Sequence, residues 1–453
     1  MNRLKKGIRN NGLLMIIAAA MLLMLTVSNS MAAIEGDPGP IFNLTARADH
    51  LASGDGGSVY FWGYALDGRR TQYPGPTFII NQGDQITVNL TNALPQALGV
   101  PVSIVFPGQQ GVTATMTTGA GKEGLLTKEA NFGETVQYKF TASQPGTYLY
   151  HSGTSPELQV EMGLVGAIIV RPYMGQNFAY NHPDSEFDRE YLFLLSEMDP
   201  RIHRAIEFQG LAAVNPEWLS DYFSGWWFIN GRNAPDTMLL SNVMELPTQP
   251  YNAMPVTHPG EKLLMRVLNV GRELHPFHHH GNHARVIAKD GRLLDTGTGN
   301  PMIDLSYLGF TIPAVPGETT DAIFEWTSKG LGWDIYGDAN DPDFAHQCNG
   351  SNGPSNTIDP VTGEDCNFHN NPDRPFPVVL PGVQTLTFGG FWIGSPFLGN
   401  FGSLPPGEGG LNTYAGLAFM WHSHTEKELT NYDIFPGGMM TMLIVAPPGA
   451  PID

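Results

Sequence analysis

Five of the 14 histidines in this 453-residue chain fall within nine residues: His275, His278, His279, His280 and His283, in the run HPFHHHGNH. Imidazole is a ligand for copper, zinc, iron and nickel, so a run this dense points first to metal chemistry. On an extended strand the side chains of His278 and His280 point to one face, about 7 Å apart. A second alternating pair, His422 and His424, follows the apolar run 417–421 and again offers two imidazoles on one face. A single histidine reads most simply as a hydrogen-bonding core residue. Two His-x-His pairs read better as ligands, serving one clustered site or two metals.

Such pairs need strands to carry them. The chain holds 53 Gly and 36 Pro, a density of turn-formers that argues against bundles and long helical repeats. Apolar and β-branched residues alternate over 77–81, 85–90, 135–140, 146–151 and 164–170, a spacing that predicts a β-sandwich. A second set follows at 191–196, 262–269, 284–288, 321–326, 417–422 and 439–445, with a polar, turn-rich boundary between. The expected organisation is a first domain over 33–172, a linker over 173–187, and a second domain over 188–453. A long loop insert over 332–416 interrupts the second domain. Trp226, Trp227 and Phe228 ahead of Asn230-Gly231 read as a buried strand entering a turn. Helices are expected only as short pieces near 215–223 and 423–432.

The formal net charge of −19 opposes a nucleic acid or an anionic membrane surface as partner. Arg3, Lys5, Lys6 and Arg9 precede an apolar run over 13–27, and Ser28, Ser30, Ala32 and Ala33 follow it. This is the pattern of a secretory signal over 1–32. Its apolar run is shorter than the roughly 20 residues of a membrane span. The reading is therefore an exported protein, periplasmic or extracellular, with no integral span after cleavage. In that setting the only two cysteines, Cys348 and Cys366, are expected to form one disulfide stapling a Gly-, Asn- and Pro-rich loop.

Several segments together resemble the multicopper oxidases of the cupredoxin superfamily. Tyr73-Pro74-Gly75-Pro76-Thr77 with Gly83-Asp84 resembles the opening of one of their domains. Gly146-Thr147-Tyr148-Leu149-Tyr150-His151-Ser152 with Gly163-Leu164-Val165-Gly166 resembles its end. His275-Pro276-Phe277-His278-His279-His280-Gly281 and His422-Ser423-His424 with Gly438-Met439 resemble the copper-binding motifs. With two such units, the chain is similar to two-domain laccases and copper nitrite reductases. The resemblance implies an all-β fold of two cupredoxin-like Greek-key β-sandwich domains and a copper cofactor of one to three ions. It also implies a homotrimer with copper sites between neighbouring subunits.

The departures from the family pattern shape the functional expectation. The first His-x-His would fall at Val105-Phe106-Pro107, where no ligand stands, and the second at His151-Ser152-Gly153, where His151 alone remains. The copper ligands implied are thus His275, His278, His280, His422 and His424, with His151, and Glu428 is a further candidate ligand. At the mononuclear blue site His275 is present, Ser423 stands where the thiolate belongs and Glu428 where a second histidine belongs. Met439 or Met440 can supply an axial thioether, and His279 and His283 are further candidate ligands. A serine hydroxyl cannot replace the copper–thiolate bond that gives a blue site its colour and fast electron exchange. The expectation is a copper-dependent oxidoreductase with a His-ligated cluster and no blue copper. The alternatives are a non-catalytic copper-handling protein and a structural module with relic histidines. The small-molecule substrate or electron donor is not legible in the sequence.

Overall fold

The computed structural model describes residues 34–258, 260–326, 417–446 and 452. The signal segment, the insert over 332–416 and the expected Cys348–Cys366 disulfide lie outside the described residues.

The first eleven strands are β1 (Asp37–Pro38), β2 (Ile41–Ala52), β3 (Ser58–Leu66), β4 (Phe78–Asn81), β5 (Gln85–Asn92), β6 (Thr113–Thr118), β7 (Lys122–Glu123), β8 (Lys128–Glu129), β9 (Thr135–Thr141), β10 (Gly146–His151) and β11 (Val165–Arg171). They form a five-stranded sheet in the order β3-β2-β5-β9-β6, a four-stranded sheet in the order β1-β4-β11-β10, and the small β7–β8 ribbon. In β5 and β9 every second side chain is buried, as alternation requires when one face of a sheet covers a core. Phe42, Trp62, Phe78, Tyr138 and Tyr150 fill the space between the two sheets.

The remaining strands are β12 (Arg189–Met198), β13 (Trp226–Ile229), β14 (Val256–Thr257), β15 (Lys262–Asn269), β16 (His275–His279), β17 (Ala284–Lys289), β18 (Arg292–Leu293), β19 (Tyr307–Gly309), β20 (Thr311–Ala314), β21 (Thr319–Glu325), β22 (Leu417–Ser423) and β23 (Met440–Val445). One sheet runs β13-β12-β15-β21-β17-β18, with β19 paired to β17, and the other runs β14-β23-β22-β16-β20. Phe193, Trp227, Phe277, Phe324 and Trp421 pack between them. His278 and His422 therefore sit on adjacent strands of one five-stranded sheet, and His280 and His424 lie one residue beyond the ends of those strands. The expected all-β architecture of two sandwiches is what the strands build.

The two sandwiches share a third core. Leu149, Val165 and Ile169 of β10 and β11 pack with Leu192 and Leu194 of β12, Phe228 of β13 and Leu268 of β15. Beside it lies a buried ion network. Glu190 pairs with Arg171 and, at 3.0 Å, with Arg266, whose other side faces Asp321 at 3.6 Å. Thr147 of β10 donates its hydroxyl to Asp321 at 2.6 Å, as does Tyr180. Burial raises the pKa of the Glu190 carboxyl, but the Arg266 and Arg171 charges outweigh it and hold that carboxyl below its ordinary value.

Two of the longer elements escaped the reading of the sequence. The hairpin β2–β3 carries only a weak strand signal, because Ala46, Ala48 and Ala52 dilute the apolar alternation of β2. The helix Pro200–Gln209 was also missed, although its local signals are present: Asp199 accepts the Arg201 backbone N–H at 2.9 Å, Pro200 occupies the first turn, and Gly210 ends the helix at φ 81°. Its buried Ile202 and Ile206 cover β3 and join the core of the first sandwich. The segments 215–223 and 423–432 hold only the 3₁₀ turns Pro216–Leu219 and Glu426–Leu429.

Candidate metal centre

β16 lies between β20 and β22 in antiparallel register, which sets Thr311, His278 and His422 in one row across the sheet. Met440 of β23 extends the row, directly opposite His422. Residues paired across antiparallel strands share a face, so these four side chains stand on the same side. His280, two residues beyond His278, returns to that face. Ring centroids are 4.5 Å apart for His278 and His280, 5.3 Å for His280 and His422, and 5.0 Å for His278 and His424. One ring nitrogen from each of His278, His280 and His422 lies within 4.8 Å of the others. His424 is exposed and stands 5.6 Å from His422, centroid to centroid.

The hydrogen bonds orient these rings. His422 donates its Nδ1–H to the carbonyl of Ser423 at 2.6 Å, so its Nε2 carries a lone pair. That Nε2 stands 3.1 Å from His280 Nε2. His278 Nδ1 is paired with Thr311 Oγ1 at 2.8 Å, while its buried Nε2 has no hydrogen-bond partner among the described residues. A buried ring nitrogen left unpaired, with the opposite nitrogen tied to an oxygen, is the arrangement a metal-ligating histidine needs. Burial, then the neighbouring imidazoles, pushes the pKa of His278 down to about 3 and that of His280 to about 4. Burial likewise lowers His422. At neutral pH these rings are uncharged, the form in which imidazole binds a metal.

The other candidate residues fall elsewhere. His279 points to the opposite face of β16, accepts the Ala284 backbone N–H at 3.1 Å, and packs against Phe324 and Trp421. His283 lies against the Phe310 ring. His151 ends β10 in the first sandwich and is not part of the three-histidine group. Like His422, it donates Nδ1–H to the carbonyl of the serine that follows it, here at 2.8 Å. Ser423 pairs with Phe277 across the strands and is fully buried on the face opposite His422. Met439 is buried in the core of the second sandwich, and Met440 stands in the row beside His422.

His275 has a different environment from the one expected of a ligand. Its Nε2 lies 2.8 Å from Glu197 Oε2 and its Nδ1 2.9 Å from Glu428 Oε2, with the ring fully buried. Neither ring nitrogen is left for a metal, and Glu428 is engaged as well. Sequence reasoning did not single out Glu197, whose only local mark is its charge inside an apolar strand. Burial lowers the His275 pKa, but the hydrogen bonds and charges of Glu197 and Glu428 outweigh it and raise it to about 9. Glu161 and Arg272 are further charged groups near Glu197.

This predicts a pH-dependent stability. The folded pKa exceeds the unfolded value of about 6.5, so the stabilisation is complete below about pH 6.5 and is lost as pH rises through about 9, on the order of 3 kcal/mol. The urea midpoint should fall between pH 6.5 and pH 9.5. In His275→Gln that fall should disappear. Equal pH slopes for the two proteins would contradict the assignment.

Residues 65–174 match the multicopper oxidase family model; the match lies in the first sandwich, whereas the histidine cluster lies in the second. Among curated proteins, a probable nitrite reductase-hydroxylamine oxidoreductase fusion protein of Kuenenia stuttgartiensis is 27% identical over 249 residues, covering 54% of this chain and 25% of that protein. An L-ascorbate oxidase of Cucurbita pepo var. melopepo is 33% identical over 153 residues, covering 33% of this chain and 25% of that protein. The chain thus spans about a quarter of the length of these relatives. Among solved structures, a blue copper oxidase from Nitrosomonas europaea superposes with a TM-score of 0.52 at 18% identity, over 89% of this chain and 85% of that one. That likeness establishes a shared fold.

Proposed function

We propose that this chain, a pair of cupredoxin-like sandwiches with a multicopper oxidase domain, is a copper oxidoreductase whose metal is held by His278, His280, His422 and His424. The observation that carries the reading is the convergence of three neutral, buried imidazoles on one face of one sheet, within 4.8 Å of one another. Copper bound there would supply a one-electron redox centre. His422 is held in its tautomer by the Ser423 carbonyl and His278 by Thr311. Exposed His424 leaves the cluster approachable from solvent. Half-buried Met440 lies on the same face.

The proposed site works without a blue copper. Ser423 replaces the thiolate, and His275 and Glu428 are bound to each other. Copper(II) held only by imidazole, thioether and water lacks the intense visible thiolate-to-copper band. The copper-loaded protein should therefore be pale. An intense blue colour would show that a thiolate reaches the metal and would overturn this assignment.

His151 is proposed to join from the first domain of a neighbouring copy in a homotrimer. Its Nδ1–H is donated to its own chain, as in His422, which leaves Nε2 available as a ligand. Export follows from the charged and apolar pattern over residues 1–32. The closed His275 environment also favours a second reading, a copper-handling protein without turnover, because the usual place for electrons to arrive carries no metal ligand. The deciding experiment is elemental analysis after copper or zinc loading, with the mass in solution and turnover with oxygen or nitrite. Retained copper with turnover supports the oxidoreductase, and retained copper without turnover supports handling. Loss of all copper on desalting would sink both.

A further inference from the structure

We infer that the Glu197–His275–Glu428 bridge is the positioning device of the histidine cluster, one ring that fixes the register in which His278 meets His422. β16 is five residues long and pairs with β22 only through Phe277, His278 and His279. A one-residue slip in so short a pairing would send His278 and His280 to the other face. His275 is the first residue of β16, and its ring is gripped from two sides. Glu197 comes from β12 in the facing sheet, and its Oε1 also accepts the backbone N–H groups of Arg272 and Glu273, at 2.5 and 3.1 Å, just ahead of the strand. Glu428 comes from the turn after β22, and its backbone is tied to Met439 at 2.8 Å and Thr425 at 2.9 Å.

The bridge thus joins β12, the start of β16 and the segment leaving β22. Its two carboxylates lie on opposite edges of the ring, so no single metal can be chelated by both together with His275. The ring acts here as a doubly donating cation, through which two buried carboxylates are held apart and satisfied. Its effect on the copper site passes through His278 and His422, and it touches neither copper nor substrate.

This inference rests on the copper reading for one readout and stands apart from it for another. His275→Gln leaves two buried carboxylates sharing one amide donor. The paired substitution His275→Gln with Glu428→Gln restores complementary bonding: the amide nitrogen introduced at position 275 donates to Glu197, and its oxygen accepts from the amide introduced at position 428. It also keeps the net charge of the trio at −1. Copper(II) affinity, measured by chelator competition, should fall about 10–100-fold in His275→Gln and return to within about threefold of the parent in the double variant. The parallel hyperfine splitting in electron paramagnetic resonance should shift and return with it. In the metal-free proteins, ring-nitrogen NMR signals of His278, His280 and His422 should move in the single variant and recover in the double one.

Where His275→Gln fails to fold, Glu428→Gln alone, which keeps an acceptor for Nδ1–H, should fold and give nearly parental signals. If the parent holds no copper but the NMR rescue succeeds, the copper reading fails and the bridge stands. Unchanged affinity, splitting and ring signals in His275→Gln, or a double variant no better than the single, would overturn the bridge.

Discussion

Replacing His422 by Ala is expected to lower copper affinity by more than about 100-fold while leaving the protein folded. His422 is the hub of the cluster: it is paired with His278 across the strands, its Nε2 stands 3.1 Å from that of His280, and its ring lies 5.6 Å from that of His424. Changes in groups that merely orient a ligand cost 10–100-fold in metal affinity. Removal of the ligand itself must cost more. The fold should tolerate the change, because the lost ring contributes only two hydrogen bonds, to the Ser423 carbonyl and to His280, and sits near the open edge marked by His424. Copper per chain after desalting, with far-ultraviolet circular dichroism as the folding control, reads the result. His283→Ala, whose ring lies on Phe310, should retain the parental copper content. Full copper retention in His422→Ala would remove this cluster as the site.

The second large effect concerns the seam between the sandwiches. Glu190→Gln should destabilise the protein by about 3–5 kcal/mol, the usual cost of breaking a buried ion pair from one side. Glu190 pairs with both Arg171 and Arg266, and both guanidinium groups are buried. Without its charge, Asp321 at 3.6 Å is left to balance two buried cations. Because the network spans β11, β12, β15 and β21, the loss should fall on the docking of the sandwiches. A lowered urea midpoint, together with earlier proteolytic cleavage between residues 171 and 189, is the expected result. A destabilisation under about 1 kcal/mol would mean that water reaches these charges and that the apolar core around Leu149, Leu192 and Phe228 holds the seam by itself.

The sequence alone determined the material of this protein. Alternating apolar positions and frequent Gly and Pro allow strands and little else, so β5, β9, β10, β15 and β22 were legible to within two residues at either end. Two-residue spacing put His278 with His280, and His422 with His424, because side chains on a strand return to the same face every second residue. Local chemistry also marked the helix Pro200–Gln209, through Asp199, Pro200 and Gly210, though strand patterning drew the reading away from it.

What tertiary structure decided was which residues meet. His278 faces His422, 144 positions away, only because β16 and β22 pair in one register out of many. No periodicity contains that choice. His275 shows the limit most clearly: by motif it is a ligand, but Glu197 and Glu428 arrive from 78 residues before it and 153 after it and take both ring nitrogens. In a buried site, a charge must be answered by whichever group the fold brings within hydrogen-bond reach, and that is a property of packing rather than of spacing.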